Sequence, residues 1–259
     1  MTREEQGVLN GKVALITGGA GAIGLATARR CAEDGARVVI ADRDAARLDQ
    51  AVTNLRDVGL DVAAVPVDVT SEGSVRELLD RIEADPGRLD ILFTSAGVLV
   101  SGSVVETSLE DWQRTLAVNL TGTFLCAKYA VPLMLAGGGG SIVLMSSTSG
   151  LVAEPATAAY CASKGGIVML GRQMAVDFAR AGIRVNVICP GWIDTPFNDP
   201  AIEHSGGMDA VAPFIEAMVP MGRQGRPEEV ADIVAFLASD ASRLMTGSVV
   251  VADGGLTAQ

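Results

Sequence analysis

Residues 13–24, VALITGGAGAIG, join a short apolar run to a helical pattern through a turn that contains four glycines. Residues 13–17 are apolar and rich in branched side chains, as in a buried strand, and a helix is predicted from Ile23 onward. A plain strand-to-helix turn needs one or two glycines. The additional glycines indicate that phosphates approach the backbone closely at the helix N-terminus. This stretch therefore predicts the first strand-helix unit of a nucleotide-binding sheet.

Outward from this unit, short apolar runs alternate with helical patterns along the chain. Seven runs are predicted as strands, at 13–17, 37–41, 62–67, 91–94, 142–145, 184–188 and 248–251. Helices are predicted at 23–34, 45–58, 74–84, 109–136, 158–181 and 228–239, with Gly35, Gly59 and Gly182 where three of them end. Strands that are apolar on both faces are typical of a parallel sheet covered by helices. We therefore predict the α/β class, as a single Rossmann-like doubly wound domain with a seven-stranded parallel sheet.

The chain contains no linker or repeat that would divide it into two domains. Its 259 residues suit one large α/β domain. Residues 1–10 are predicted to form a flexible N-terminal tail, and 11–259 the domain. The strand-helix rhythm breaks at about 192–226, which we interpret as a substrate loop. Its large apolar side chains are candidates for a pocket wall or for packing beneath the loop: Met208, Phe214 and Met218.

Composition argues against several classes of function. The net charge of -11 opposes binding to nucleic acid and to anionic membranes. The four cysteines form no CxxC pair, and the one histidine, His204, leaves no obvious metal-ligand set, so no metal site is predicted. Residues 129–153 carry no charge, but Pro132 and the glycines at 137–140 divide them into helix, turn and strand. We expect no membrane partner, no signal peptide and a cytoplasmic location.

Asp42 ends the second predicted strand, near the offset at which a carboxylate accepts hydrogen bonds from the adenosine ribose. Such a carboxylate repels the extra phosphate of NADP, so NAD is the predicted cofactor. Arg43 complicates this prediction, because a guanidinium beside the ribose could tolerate a phosphate. Asp42 could instead cap the next helix, although Asp44 is better placed to do so.

Tyr160 and Lys164, in the segment YCASK, lie four residues apart and so share one face of a helix. An ammonium near a phenol favours the phenolate and lowers its pKa, and together with an oxidised nicotinamide it would let the tyrosine exchange a proton near neutral pH. The same spacing is common on ordinary amphipathic helices, so the pair needs support from elsewhere. Ser147 supplies some, because it ends the fifth predicted strand, at the edge where a doubly wound sheet binds ligands.

Together these motifs resemble the classical short-chain dehydrogenase/reductase family over about residues 10–255. The matching segments follow the family's order: residues 17–24, Asp68-Val69, Asn119, Ser147, the YCASK segment, Pro190-Gly191 and 253–255. The resemblance implies an oxidoreductase that transfers hydride between NAD(H) and a carbonyl or secondary alcohol. It also implies a homotetramer built through the helices at 109–136 and 158–181, whose apolar character on more than one side suits a subunit contact.

The resemblance also implies roles for single residues. Tyr160 would be the general acid/base, and Ser147 would position and polarise the substrate oxygen. Lys164 would lower the tyrosine pKa and hold nicotinamide-ribose hydroxyls, while Asn119 would support a water-linked proton path or merely bond a neighbouring backbone. The cofactor-binding residues would be Gly18, Gly21, Ala22, Ile23, Gly24, Asp42, Arg43, Asp68, Val69, Ser95, Ala96, Gly97, Tyr160, Lys164, Pro190, Gly191, Ile193 and Thr195. The substrate would be contacted by Ser147, Glu154, Tyr160 and Trp192.

Two positions depart from the family's pattern. Ala22 stands where a middle glycine is usual, and we expect Gly21 to supply the conformational freedom instead. Residues 94–97, TSAG, replace the usual Asn-Asn-Ala-Gly, which predicts altered hydrogen bonding at the fourth strand without loss of activity. Two other functions stay open: an NADPH-preferring 3-oxoacyl reductase, and a nucleotide-sensing protein without turnover. A comparison of the two cofactors over a panel of alcohols would separate them.

Overall fold

The computed structural model describes residues 7–259 and shows a central sheet with helices on both faces. Within these residues seven strands form the sheet: β1 (Val13–Thr17), β2 (Arg37–Asp42), β3 (Val62–Pro66), β4 (Ile91–Thr94), β5 (Gly140–Met145), β6 (Ile183–Pro190) and β7 (Val249–Ala252). They pair in parallel in the order β3-β2-β1-β4-β5-β6-β7. The predicted doubly wound sheet is confirmed. Because the strand order reverses beside β1, a crevice opens at the carboxyl ends of β1 and β4.

The helices lie where the apolar periodicity predicts most of them. They are α1 (Ala22–Glu33), α2 (Ala45–Arg56), α3 (Glu72–Ala84), α4 (Leu109–Leu116), α5 (Gly122–Ala136), α6 (Ala158–Phe178), α7 (Asp199–His204), α8 (Met208–Met218) and α9 (Pro227–Ala238). A π-helical turn, Ala117–Thr121, joins α4 to α5, so the predicted helix 109–136 is continuous. Gly35, Gly59 and Gly182 have φ angles of +92°, +81° and +81°, which glycine adopts at little cost after a helix.

Two apolar layers, one on each face of the sheet, hold the fold together. Helices α3, α5 and α6 cover one face, where residues such as Leu15 and Leu92 point. Helices α1, α2 and α9 cover the other, where Ile16 and Phe93 point. Burying one such side chain contributes about 1.5–3 kcal/mol. Covering both faces explains why the strands are apolar throughout rather than alternating.

The helical segment Leu109–Ala136 is long and apolar enough, by length and composition, to cross a membrane. Half of its most apolar window, 50%, is buried inside the domain. Cys126, Ala130 and Met134 belong to the core layer that covers the sheet. Packing against the sheet therefore accounts for the apolar character of the inner side of this segment.

The domain begins earlier than the sequence predicts. Leu9 falls in the predicted tail, yet its side chain is only 1% exposed. Its N–H donates to the carbonyl of Asp34 at 2.9 Å, and its carbonyl accepts from the Lys12 N–H at 3.0 Å. The boundary after residue 10 is therefore wrong, because burial of this leucine fixes the chain against the end of α1. The rest of the predicted tail, 1–6, lies outside the described residues.

The predicted substrate loop at 192–226 contains two helices, α7 and α8, that its sequence did not predict. The first is only six residues long, and the second contains Pro213, which weakens a helical signal. Val211 and Ile215 form the buried side of α8 and pack with Trp192. The sequence suggested that Met208, Phe214 and Met218 form a pocket wall or pack beneath the loop. Both suggestions are wrong, because these residues are 41–49% exposed and do not line the cleft at the carboxyl ends of the strands.

Asp90 ties together the amino ends of β1 and β4. Its carboxylate accepts the Val13 N–H at 2.9 Å and two guanidinium bonds from Arg88 at 2.9 and 2.5 Å, and the residue is 5% exposed. We predict that Asp90→Ala lowers the free energy of unfolding by about 2–4 kcal/mol, because a buried N–H and a cation lose their partner. Urea denaturation measures the change. Glu33→Ala removes an exposed ion pair with Arg29 and should barely move the midpoint; equal effects of the two substitutions would contradict the prediction.

Candidate active site

A cleft of about 750 Å³ opens at the carboxyl ends of the central strands. Every residue predicted to contact the cofactor or the substrate lies in its wall, from Gly18 in the first turn to Thr195 after β6. Among the predicted site residues, Asn119 alone is outside the wall, and it is completely buried behind it. The topology therefore brings segments that are far apart in the sequence to one sheet edge.

The glycine-rich turn packs so closely against the protein backbone that two of its positions cannot hold a side chain. Gly18 has φ +67°, and a Cβ atom there would lie 2.6 Å from the Ala96 nitrogen. A Cβ at Gly24 would lie 2.2 Å from the Gly18 carbonyl oxygen. Within residues 7–259 no side chain caps α1, so its first-turn N–H groups remain available at the cleft. This bare helix N-terminus fits the pyrophosphate of a dinucleotide.

The prediction that Gly21 supplies the backbone freedom missing at Ala22 is wrong. Gly21 has φ -78° and ψ 160°, an extended conformation that other residues also adopt. Gly18, three residues earlier, is the one with a left-handed φ. Ala22 begins α1, and its methyl group stands in the cleft wall.

Asp42 supports the glycine-rich turn. Its carboxylate accepts the Ala20 N–H at 3.2 Å and the Asp44 N–H at 3.3 Å. Asp44, and not Asp42, caps α2, by accepting the Arg47 N–H at 3.0 Å. Two exposed guanidinium groups, those of Arg43 and Arg47, also line this end of the cleft. Sequence reasoning missed Arg47, although its position four residues after Arg43 places both near the start of α2.

The loops after β3, β4 and β6 complete the cofactor end. Val69 is buried beside Gly122 of α5, and Asp68 holds its own loop through Thr70 at 2.7 and 2.9 Å. Gly97 has no side chain in the space between Asn119 and the Lys164 ammonium. The remaining predicted contacts from these loops also line the cleft: Ser95, Ala96, Pro190, Gly191, Ile193 and Thr195.

Asn119 braces the loop after β4. Its amide oxygen accepts the Val98 N–H at 2.8 Å, and its amide nitrogen donates to the Val98 carbonyl and to Ser163, both at 3.0 Å. Its backbone carbonyl accepts from Thr123 at 2.7 Å. The side chain thus bonds a neighbouring backbone, which is one of the two roles predicted for it. The hydroxyl of Thr94 has no hydrogen-bond partner within residues 7–259.

Tyr160 and Lys164 lie one turn apart on α6, with side chains pointing into the cleft. They are 8% and 3% exposed. The Lys164 ammonium is 5.5 Å from the centre of the Tyr160 ring and donates to the Met145 carbonyl at 3.0 Å. Phe197, from the substrate loop, lies across the tyrosine with ring centres 6.1 Å apart. The predicted shared helical face is therefore present, at the reacting end of the cleft.

The electrostatics of this pair differ from the expectation. Burial raises the pKa of Tyr160 well above its usual value, and the negative charge of Glu154 raises it further, although the Ser147 hydroxyl partly offsets both. Burial lowers the pKa of Lys164 to about 8. The predicted lowering of the tyrosine pKa is therefore wrong for the protein alone. Removing a phenolate from water outweighs the effect of an ammonium several ångströms away.

Ser147 belongs to a chain of hydroxyl groups that ends on Glu154. Its hydroxyl accepts the Ser149 N–H at 3.2 Å and donates to the Ser149 hydroxyl at 3.3 Å. Ser149 then donates to the Glu154 carboxylate at 2.6 Å. Sequence reasoning missed Ser149, for which the serine-rich run at 146–149 was the available signal.

Two other predicted features can be located. Trp192 both lines the cleft and packs on α8. His204 is exposed on α7, outside the cleft wall. In the described part of the chain, no group of three or more His, Cys, Asp or Glu side chains could hold a metal ion.

Comparison with known proteins supports a redox enzyme. A family model described as enoyl-(acyl carrier protein) reductase matches residues 18–257. The chain is 43% identical to cis-4-hydroxycyclohexanecarboxylate dehydrogenase of Sinomonas cyclohexanicum, over 95% of this chain and 97% of that protein. It is similar to the crystal structure of a short-chain type dehydrogenase/reductase from Mycobacterium marinum, with TM-score 0.91, 37% identity and 97% of each chain covered. A gluconate 5-dehydrogenase from Burkholderia cenocepacia J2315, solved with NADP and tartrate, gives TM-score 0.91 and 35% identity, again over 97% of each chain.

Proposed function

The chain belongs to the classical short-chain dehydrogenase/reductase family of oxidoreductases, and from this premise we propose that it is an NAD-dependent dehydrogenase of secondary alcohols. The observation that carries the proposal is the convergence of Tyr160, Lys164 and Ser147 at one end of a cleft whose other end is a bare helix N-terminus. A proton-transfer group and a dinucleotide cradle at one sheet edge are the two requirements of this chemistry.

The protein's part in the reaction is proton transfer and alignment. The bound nicotinamide supplies the hydride chemistry. In the oxidation direction, the Tyr160 phenolate takes the proton of the substrate hydroxyl and becomes a phenol, while Ser147 holds the same oxygen; in reduction the Tyr160 hydroxyl gives that proton back. The Lys164 ammonium, which makes one hydrogen bond to protein within residues 7–259, keeps donors free for the nicotinamide ribose. Tyr160 is 8% exposed and Phe197 lies across its ring, which limits the access of water to the phenol.

A direct assay tests the proposal. The purified protein is mixed with secondary alcohols and NAD⁺ or NADP⁺, and reduced cofactor is followed by its absorbance. We expect reduction of NAD⁺ with at least one alcohol. Arg43 and Arg47 favour a second candidate, an NADPH-preferring 3-oxoacyl reductase, which would show faster turnover of a 3-oxoacyl thioester with NADPH. Cofactor binding without turnover of any substrate would instead support a nucleotide-sensing protein.

Asp42 carries the predicted preference for NAD. Asp42→Ala should change the ratio of kcat/KM for NAD to that for NADP about 10- to 100-fold in favour of NADP, because a charge-assisted bond to the ribose is lost and a repulsion is removed. The ratio is the necessary measurement, since losing the bond to Ala20 weakens both cofactors alike. Asp44→Ala, the neighbouring helix cap, is the control and should leave the ratio unchanged. An unchanged ratio in Asp42→Ala would refute the assignment.

We also propose a homotetramer. The two long helices expose apolar side chains on their outer sides, including Phe124 of α5, 46% exposed, and Met169 and Val176 of α6, 60% and 81% exposed. Exposed apolar side chains of this size suit a subunit contact. The mass in solution, measured by light scattering, is the test.

A further inference from the structure

Glu154 places a carboxylate in the wall of the cleft, close to the reacting end. The residue is half-buried, and its Oε2 atom accepts from Ser149. Its charge is near enough to Tyr160 to raise the pKa of that hydroxyl. Within residues 7–259, its Oε1 atom has no hydrogen bond and no lysine or arginine lies at ion-pair distance. One carboxylate oxygen is thus available to a molecule in the cleft.

The chemistry of that molecule follows from the charges around Glu154. An ionised carboxylate only accepts hydrogen bonds, so the ligand must present a donor, and an anionic group would be repelled. A cationic amine also presents a donor, and it is the alternative that the experiment below compares with a neutral hydroxyl. A neutral hydroxyl satisfies both conditions.

The position of that hydroxyl on the substrate follows from the serine chain. Two hydrogen bonds, through Ser149, connect the Ser147 hydroxyl to the Glu154 carboxylate. The reacting oxygen binds at Ser147 in the proposed function. A group that reaches Glu154 at the same time is therefore a short distance along the same molecule.

We propose that the substrate is a secondary alcohol or ketone with a second hydroxyl within one or two carbons of the reacting carbon, and that Glu154 accepts a hydrogen bond from this second hydroxyl. This inference rests on the proposed function, whose substrate class it narrows. Ser149 holds the carboxylate in place, and Glu154 discriminates between substrates. A site built to bond a hydroxyl rejects an analogue without one, because the carboxylate is then left half-buried without its partner.

Paired substrates test the proposal. The reduction of 3-hydroxybutan-2-one is compared with that of butan-2-one, using wild type, Glu154→Gln and a control, Glu203→Gln, which alters an exposed carboxylate of α7 outside the cleft. Wild type should favour the hydroxyketone in kcat/KM by about 10-fold or more. Glu154→Gln should lower kcat/KM for the hydroxyketone about 10- to 100-fold and for butan-2-one less than about 3-fold. Glu203→Gln should change neither value.

Three results would overturn the inference. Wild type could show no preference for the hydroxyketone, or Glu154→Gln could slow both ketones equally, which would make Glu154 a support for Ser147 only. Alternatively, wild type could bind 3-aminobutan-2-ol more tightly than butane-2,3-diol, and Glu154→Gln could remove that difference. This result would mean that Glu154 recognises a cationic amine and not a neutral hydroxyl.

A binding measurement separates this inference from the proposed function. Calorimetry gives the affinity of butane-2,3-diol for the Tyr160→Phe protein with NAD⁺, with and without Glu154→Gln. A loss of affinity of about 10-fold on Glu154→Gln supports recognition of the second hydroxyl even if no substrate turns over, in which case the dehydrogenase proposal alone fails. Turnover by wild type with no effect of Glu154→Gln on either measurement leaves the dehydrogenase standing and refutes the inference.

Discussion

Tyr160→Phe is expected to lower kcat/KM about 10²- to 10⁴-fold while the affinity for the cofactor changes less than about 3-fold. The substitution removes the hydroxyl that exchanges a proton with the substrate oxygen. It keeps the ring, which is 8% exposed and packs across Phe197. Steady-state kinetics measure the first effect, and quenching of protein fluorescence by NADH measures the second.

The second tyrosine of the chain provides a matched control. Tyr129 lies on α5, where its hydroxyl donates to Glu72 at 2.8 Å near the surface, outside the cleft. Tyr129→Phe removes the same atom and should keep nearly full activity. Thermal unfolding should show that both variants are folded. A Tyr160→Phe protein with wild-type turnover would eliminate the proposed acid/base and with it the mechanism.

Lys164→Met is expected to reduce activity about 10²-fold or more and, at the same time, to make the cofactor-free protein more stable. The ammonium is 3% exposed and makes one protein hydrogen bond within residues 7–259, to the Met145 carbonyl. A buried cation with so few partners costs free energy, and methionine fills a similar volume without that cost. A gain in stability on Lys164→Met would mean that the lysine is retained for function at the expense of stability.

The gain in stability on Lys164→Met should depend on pH, because the charge of Lys164 does. The pKa of Lys164 is 10.5 in the unfolded chain and about 8 in the folded protein, so the unfolded state binds more protons between these values. Below pH ~8 the folded wild type carries the full cost, about 3 kcal/mol. The cost disappears as the pH rises through the window to about 10.5. The stability gain of Lys164→Met should therefore be largest near pH 7 and shrink steadily above pH ~8.

Urea denaturation of the two cofactor-free proteins at pH 7 and pH 10 measures this difference. Lys128→Met, which alters an exposed lysine paired with Glu72 on the surface, is the control and should show no such gain at pH 7. A gain for Lys164→Met that is the same at both pH values would mean that packing, rather than the buried charge, is responsible. A loss of stability at pH 7 would show that the ammonium is well solvated or paired in the native state.

Much of the fold follows from patterns that are local in the sequence. The period of the apolar residues predicted all seven strands and the continuous helix 109–136, because each strand or helix must present its apolar side to the core whatever its neighbours are. The sequence predicted the helix ends at Gly35, Gly59 and Gly182 because glycine is the residue that most easily adopts the left-handed backbone found after a helix. The gathering of residues 17–24, 147 and 160–164 at one edge was also predictable, since parallel strands align their carboxyl ends.

Other features depend on contacts between residues distant in the chain. Leu9 is buried because the end of α1 lies beside it. Asn119 lies in the π-helical turn, and its side-chain amide bonds the backbone of Val98 in the loop after β4. The direction in which the Tyr160 pKa shifts depends on how deeply the phenol is buried, and the spacing of residues in the sequence does not reveal that burial. Periodicity and turn chemistry specify which segments form and how they are ordered. Burial, pairing of polar atoms and local dielectric arise when the segments pack, and these properties set the chemistry of the site.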